Sequence, residues 1–164
     1  MVGTSPSPKR WGKAHQQIEG TMTSAAEIVR ACFVAYEDKD RRAIEEILSN
    51  DFIFTSPLDN KIDRQTYLDR CWPISKNVND FKLVNLVASG PQVFVTYVST
   101  LDTGESFRNT EIFEVADGEI RSVEVYFGWD IPHKASVGRF VESETSGKSN
   151  QHLPDPVYGD GTEA

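Results

Sequence analysis

From about residue 81 onward the chain alternates apolar and polar positions, and the run SVEVYFGWD at residues 122–130 closes the pattern. Strict alternation places one face of a sheet against a core and leaves the other uncovered. Four strands are predicted over about 79–89, 92–102, 105–116 and 119–130. Their separators, Ser89-Gly90-Pro91, Asp102-Thr103-Gly104 and Asp117-Gly118, carry the turn chemistry of antiparallel hairpins.

Upstream the period changes to that of helices. Ser24 followed by Glu27 fits a capping box, and Ile28, Cys32, Phe33 and Tyr36 then fall on one face of a helix over about 25–38. Asp40 caps a second, short helix over 41–48, with Ala43, Ile44, Ile47 and Leu48 inward. The segment from Asp51 to Ser56 reads as a strand stopped by Pro57, and residues 58–61 as a turn. Asp63 caps a third helix carrying Tyr67, Leu68, Cys71 and Trp72, which Pro73 ends or kinks. The fold class is therefore α+β: a curved antiparallel sheet with three N-terminal helices on one face, a layout that usually encloses a pocket.

The polar residues concentrate at the ends. We expect a disordered N-terminal extension over 1–22, a single domain over 23–133 and a polar, flexible tail over 134–164, with a short turn near Val137 to Val141. Met22 is an alternative start. A formal charge of -8 argues against nucleic acid, since phosphate binding needs clustered cations, and Lys9, Arg10 and Lys13 sit in the N-terminal stretch. No run of 18 apolar residues spans a membrane, and the first twenty residues hold no apolar leader, so a cytoplasmic location is expected. Cys32 and Cys71 lie among apolar neighbours in predicted helices, the usual setting of free thiols, although a disulfide stays open. No close Cys/His spacing suggests a metal, and no glycine-rich phosphate loop suggests a nucleotide; no cofactor is expected.

The segments YEDKDRRAIEEILSNDFIFTSP (36–57), FRNTEIFEVADGEI (107–120) and VEVYFGWD (123–130), in this order and spacing, resemble the SnoaL-like branch of the nuclear-transport-factor-2-like superfamily. That superfamily includes ketosteroid isomerase, limonene epoxide hydrolase and scytalone dehydratase. The resemblance covers about 23–133 and implies a cystatin-like α+β barrel with a deep pocket, often dimeric. It also implies where chemistry would sit. The isomerase's general-base aspartate corresponds to Ser56, its oxyanion-hole tyrosine to Cys32 and its protonated aspartate to Glu111. Serine is too weak a base to take a carbon-bound proton unaided, so steroid isomerisation by that route is not expected. The epoxide hydrolase's Arg-x-Asp pair corresponds to Asn109-x-Glu111, which lacks the arginine's charge. The dehydratase's pocket histidines have no match, since His15, His133 and His152 lie outside the core or at its edge.

Strand parity extends the expectation. If Glu111 points inward, so do Phe107, Asn109 and Phe113, and on the last strand Val123, Val125, Phe127 and Trp129. Arg108, Glu124 and Tyr126 then face the other side, where cross-strand pairing or a homodimer interface would use them. Phe52, Phe54 and Ser56 would line the wall from the first strand, Cys32 and Tyr36 from the first helix, and Tyr67, Cys71 and Trp72 from the third; Asp59, Asp63 and Arg64 would rim the mouth or act as caps and solvated charges. Such a pocket suits a flat or cyclic apolar ligand. Glu111 is the candidate proton carrier, because a carboxylate among aromatic rings is harder to ionise. Asn109 would hold a ligand carbonyl or hydroxyl, and Tyr36 would donate to an oxyanion. A cofactor-free acid–base enzyme, a non-catalytic binding module for a hydrophobic metabolite and a dimeric interaction protein all remain open. A Glu111 that merely makes a buried hydrogen bond would favour the second.

Overall fold

The structure, a computed structural model, describes residues 24–141. The extension over 1–22, the alternative start at Met22, His15 and His152 lie outside the described residues, as does the chain beyond 141. The chain divides into two compact units, Met1–Lys134 and Ala135–Ala164. Of the second, residues 135–141 are described, and they form a turn closed by the Arg139 amide donating to the Ser136 carbonyl at 2.9 Å.

The first unit opens with α1 (Ala25–Asp38) and α2 (Arg41–Ile47), continues through β1 (Leu48–Ser56), β2 (Asp59–Asp63) and α3 (Arg64–Arg70), and passes through a 3-10 turn at Trp72–Asn77. It then runs through β3 (Val78–Ser89), β4 (Gln92–Leu101), β5 (Ser106–Ala116) and β6 (Glu119–Ile131). The starts of the helices follow from local chemistry. Ser24 and Glu27 form the reciprocal capping box on α1, and Asp40 and Asp63 accept from Ala43 and Thr66 to cap α2 and α3. Lys39 ends α1 in the left-handed conformation, and its ammonium donates to the Val78 carbonyl at 2.9 Å, pinning the helix end to the start of β3.

The strands form one six-stranded sheet in the order β2-β1-β6-β5-β4-β3. The α+β layout with three helices stands as expected, with two corrections. Residues 59–63, expected partly as a turn, form a fourth antiparallel pairing as β2 beside β1. The sheet is mixed and unclosed, because β1 runs parallel to β6, with Phe54 beside Val123. Connectivity permits this parallel step: β1 reaches β6 only through the whole β2–β5 excursion, so no hairpin holds the two strands antiparallel. The core fills the concave side, where Phe52, Phe113, Ile44, Leu68 and Ile120 are fully buried under α1, α2 and α3.

Candidate functional site

A cavity of about 600 Å³ opens between the concave sheet face and the helices. Glu111 projects into it from the middle of β5. Its neighbours in register are Val95 on β4 and Val125 on β6, both buried. The carboxylate borders the cavity and is half-buried among apolar neighbours. Burial pushes its pKa up to about 7, and the Tyr97 hydroxyl, which donates to Oε1 at 2.7 Å, partly opposes that rise. Near neutral pH the group therefore exists in both protonation states.

The helix wall supplies a second polar feature. The hydroxyls of Tyr36 on α1 and Tyr67 on α3 meet at 2.5 Å. Only one hydrogen can occupy that contact, so the other is free to serve a guest. Burial holds both phenols well above the ordinary tyrosine range, so both stay protonated donors. The rings are braced by aromatic contacts, edge-on at Tyr36 and tilted at Tyr67. Trp72 stands 4.8 Å from Tyr36, and Phe52 and Phe54 each stand 5.0 Å from Tyr67, measured between ring centroids. Cys32 and Cys71 are free thiols, both raised by burial, Cys71 to about 11, so neither is a ready nucleophile.

The mouth is charged on one side. Ser56 accepts from the Leu58 and Asp59 amides and donates to Asp59 Oδ2, while Arg70 Nε pairs with Asp59 Oδ1 at 2.5 Å. The Ser56 hydroxyl thus builds the β1–β2 turn and has no capacity left for a guest. Leu58, Ile74 and Phe127 give the entrance exposed apolar edges.

Most of the expected residues come together here: Cys32, Tyr36, Phe54, Ser56, Tyr67, Cys71, Asn109, Glu111, Phe113 and Phe127 all border the cavity. Phe52 and Trp72 do not. They are buried behind Tyr67 and Tyr36 and brace those rings instead. Asp63 is occupied as the α3 cap and Arg64 donates to the Glu45 carbonyl, so neither forms the rim. The unbroken alternation expected along β6 fails at Gly128. Asn109 pairs with Phe127 but Arg108 pairs with Trp129, leaving Gly128 as an extra residue. Trp129 consequently stands opposite Arg108, whose guanidinium carbon is 5.6 Å from its ring centroid, and still borders the cavity. Asn109 also differs in role: both ends of its amide are engaged, by the Gly128 amide and by Tyr97. Tyr97, the direct partner of Glu111, was not singled out from sequence. The signal was present, because Val93, Val95, Tyr97 and Ser99 share one face of β4, and all four are buried.

Residues 29–123, more than half of the chain, match the SnoaL-like domain family, and the chain belongs to that family. Among curated proteins none matches. Several crystal structures share the fold. One is an NTF2-like protein of unknown function from Cytophaga hutchinsonii, with 22% identity and a TM-score of 0.55 over 66% of this chain and 94% of that one. A second is an LEH-like epoxide hydrolase from M. tuberculosis, with 24% identity and a TM-score of 0.55 over 63% and 82%. A third, described as a ketosteroid isomerase on provisional grounds, comes from Kribbella flavida, with 17% identity and a TM-score of 0.56 over 79% and 92%. At these identities the likeness establishes the NTF2-like α+β fold and leaves the reaction to be argued from the site. Among the described residues no helix is long and apolar enough to cross a membrane, and no group of three or more metal-ligating side chains gathers.

Proposed function

We propose that the protein is a cofactor-free acid–base catalyst acting on a small flat or cyclic carbonyl compound, with Glu111 as the proton carrier. One observation carries this reading: a carboxylate balanced near neutrality sits on the sheet wall of an apolar cavity, facing a pair of phenols on the helix wall. In its ionised form Glu111 takes a proton from the carbon next to the carbonyl. The C–H bond breaks, its electron pair forms the C=C bond of an enolate, and the charge moves to oxygen. The free hydroxyl hydrogen of the Tyr36–Tyr67 pair donates to that oxygen. Return of the proton to the same or a conjugated carbon regenerates the carboxylate and completes an exchange or a double-bond shift. Dehydration, cyclisation or hydrolysis would use the same donor and carrier in other orders.

The test uses 2-tetralone, a flat bicyclic ketone, in deuterated water. The native protein is expected to accelerate loss of the proton next to the carbonyl, read by NMR. Glu111→Gln is expected to bind the ketone and lose that acceleration. Exchange that survives the substitution rules out the proton-carrier role.

A second reading, a non-catalytic binding module, is favoured by Ser56. The position that the resemblance assigns to a general base is a hydroxyl consumed by its own turn. Binding of 2-tetralone without exchange in the native protein would select it. On either reading we propose a homodimer through the outer sheet face, where the cross-strand neighbours Val87 and Phe94, together with Tyr126, leave large apolar side chains uncovered. Sedimentation of Phe94→Lys beside the native chain tests it, and an unchanged monomer in both refutes it.

A further inference from the structure

The β-bulge at Gly128 does more than redirect Trp129. The Gly128 amide leaves the ladder and donates to Asn109 Oδ1 at 3.1 Å. A main-chain N–H can only donate, so the carbonyl end of the Asn109 amide must face the bulge, and its NH2 end must face away. That end lies 3.5 Å from the Tyr97 hydroxyl oxygen, a long contact in which Asn109 donates. Tyr97 has a single hydrogen. With its oxygen already accepting, that hydrogen goes to Glu111 Oε1 at 2.7 Å. With Glu111 ionised, and so able only to accept, each link has one direction, and such chains polarise in the direction they run. The bulge itself admits no side chain: a Cβ at position 128 would stand 2.0 Å from the Arg108 carbonyl oxygen.

We infer that Asn109 is a positioning residue, clamped by the Gly128 bulge so that a one-way hydrogen-bond chain from the backbone through Asn109 and Tyr97 terminates on Glu111. The chain presents donors to the carboxylate and so favours the ionised, proton-accepting form over the neutral form that the apolar surroundings favour. What this does for turnover rests on the proton-carrier reading; the chain itself does not. The other groups facing Glu111 are Cys32 and Tyr36 from α1, Tyr67 from α3 and Val125 from β6. The charged side chains bordering the same cavity are Asp59, Arg70 and Asp130, of which Asp59 pairs with Arg70, and Asp130 with Lys134. Among the described residues none forms an ion pair with Glu111, so the chain is its principal polar support.

The experiment is a carboxyl 13C NMR titration of the full chain labelled at glutamate, with Glu111 assigned through Glu111→Gln. It needs no substrate. Asn109→Leu removes the donor to Tyr97 and is expected to raise the Glu111 midpoint by roughly half a pH unit. Asn109→Asp keeps an acceptor for the Gly128 amide but competes for the Tyr97 hydrogen, and is expected to raise it further, by about one unit or more. In the Tyr97→Phe background the Asn109→Leu shift should vanish, because the link through which Asn109 acts is gone. A midpoint unmoved by Asn109→Leu, or moved equally with and without the Tyr97 hydroxyl, overturns the inference. Absence of turnover on 2-tetralone would defeat the catalytic reading and leave this titration result standing.

Discussion

Tyr97 and Glu111 lie on neighbouring antiparallel strands, one pleat out of register. Tyr97 is paired with Asn109 and Glu111 with Val95, and the phenol reaches diagonally to the carboxylate at 2.7 Å. The diagonal matters because directly opposed residues would have crowded the oxygen, whereas a diagonal neighbour lies within reach of a long aromatic side chain. Tyr97→Phe keeps the ring, which packs 5.2 Å from Phe33 and 5.3 Å from Phe81, and deletes only the donor. Hydrogen bonds to charged groups are worth about 1.5–3 kcal/mol, so the Glu111 midpoint should rise by about one to two units above its value near 7. The pH profile of ketone proton exchange should move alkaline by the same amount.

Stability should report the same carboxylate. Below about pH 4.5, the ordinary glutamate value, Glu111 is protonated whether the chain is folded or not, and its burial adds no ionisation penalty. Between 4.5 and about 7 the unfolded chain has released a proton that the folded chain retains, so stability falls as pH rises. Above 7 the carboxylate is ionised in both states and the full penalty, about 3 kcal/mol, is present. Urea unfolding of the native chain and of Glu111→Gln at pH 4.5, 6 and 8 should show the native chain losing stability relative to the variant across that window. A constant difference would mean that the carboxylate is not held at a raised value.

The phenol pair on the helix wall should be mutually dependent. Tyr36→Phe leaves the buried Tyr67 hydroxyl without its partner, and the reverse holds for Tyr67→Phe. Either change is expected to cost about 1–3 kcal/mol, whereas the double variant should cost less than the sum of the two. Thermal unfolding of the three variants measures this directly. Additive losses would show that the two hydroxyls do not support one another.

How much of this was legible in the chain depends on the range of the signal. The starts of α1, α2 and α3 were written in Ser24, Asp40 and Asp63, because caps act over three residues. The strands from β3 to β6 were legible from alternation and glycine turns, to within about a residue at each end. What escaped depends on contacts distant in sequence. β2 is a polar five-residue edge strand, DNKID, with no alternation to betray it. The parallel pairing of β1 with β6 joins segments some seventy residues apart, Phe54 and Val123 for example, and neither carries a mark of the other. A glycine inside an apolar strand can signal a bulge, and Gly128 does; simple parity carried through it missed the pairing of Trp129 with Arg108. Tyr97 was hidden for a related reason. Its face could be read, but its proximity to Glu111 required the β4–β5 register.

The parallel step between β1 and β6 has one more effect. Both strands finish at the same end of the sheet, so the β1–β2 corner around Leu58 and the last residues of β6 meet at the doorway, while Glu111 and Tyr97 hang from the two strands beyond. The entrance and the proposed proton carrier are therefore held on separate pieces of chain. A lengthened corner or a rewritten β6 terminus beyond Gly128 would reshape the entrance while leaving Glu111 and Tyr97 in place.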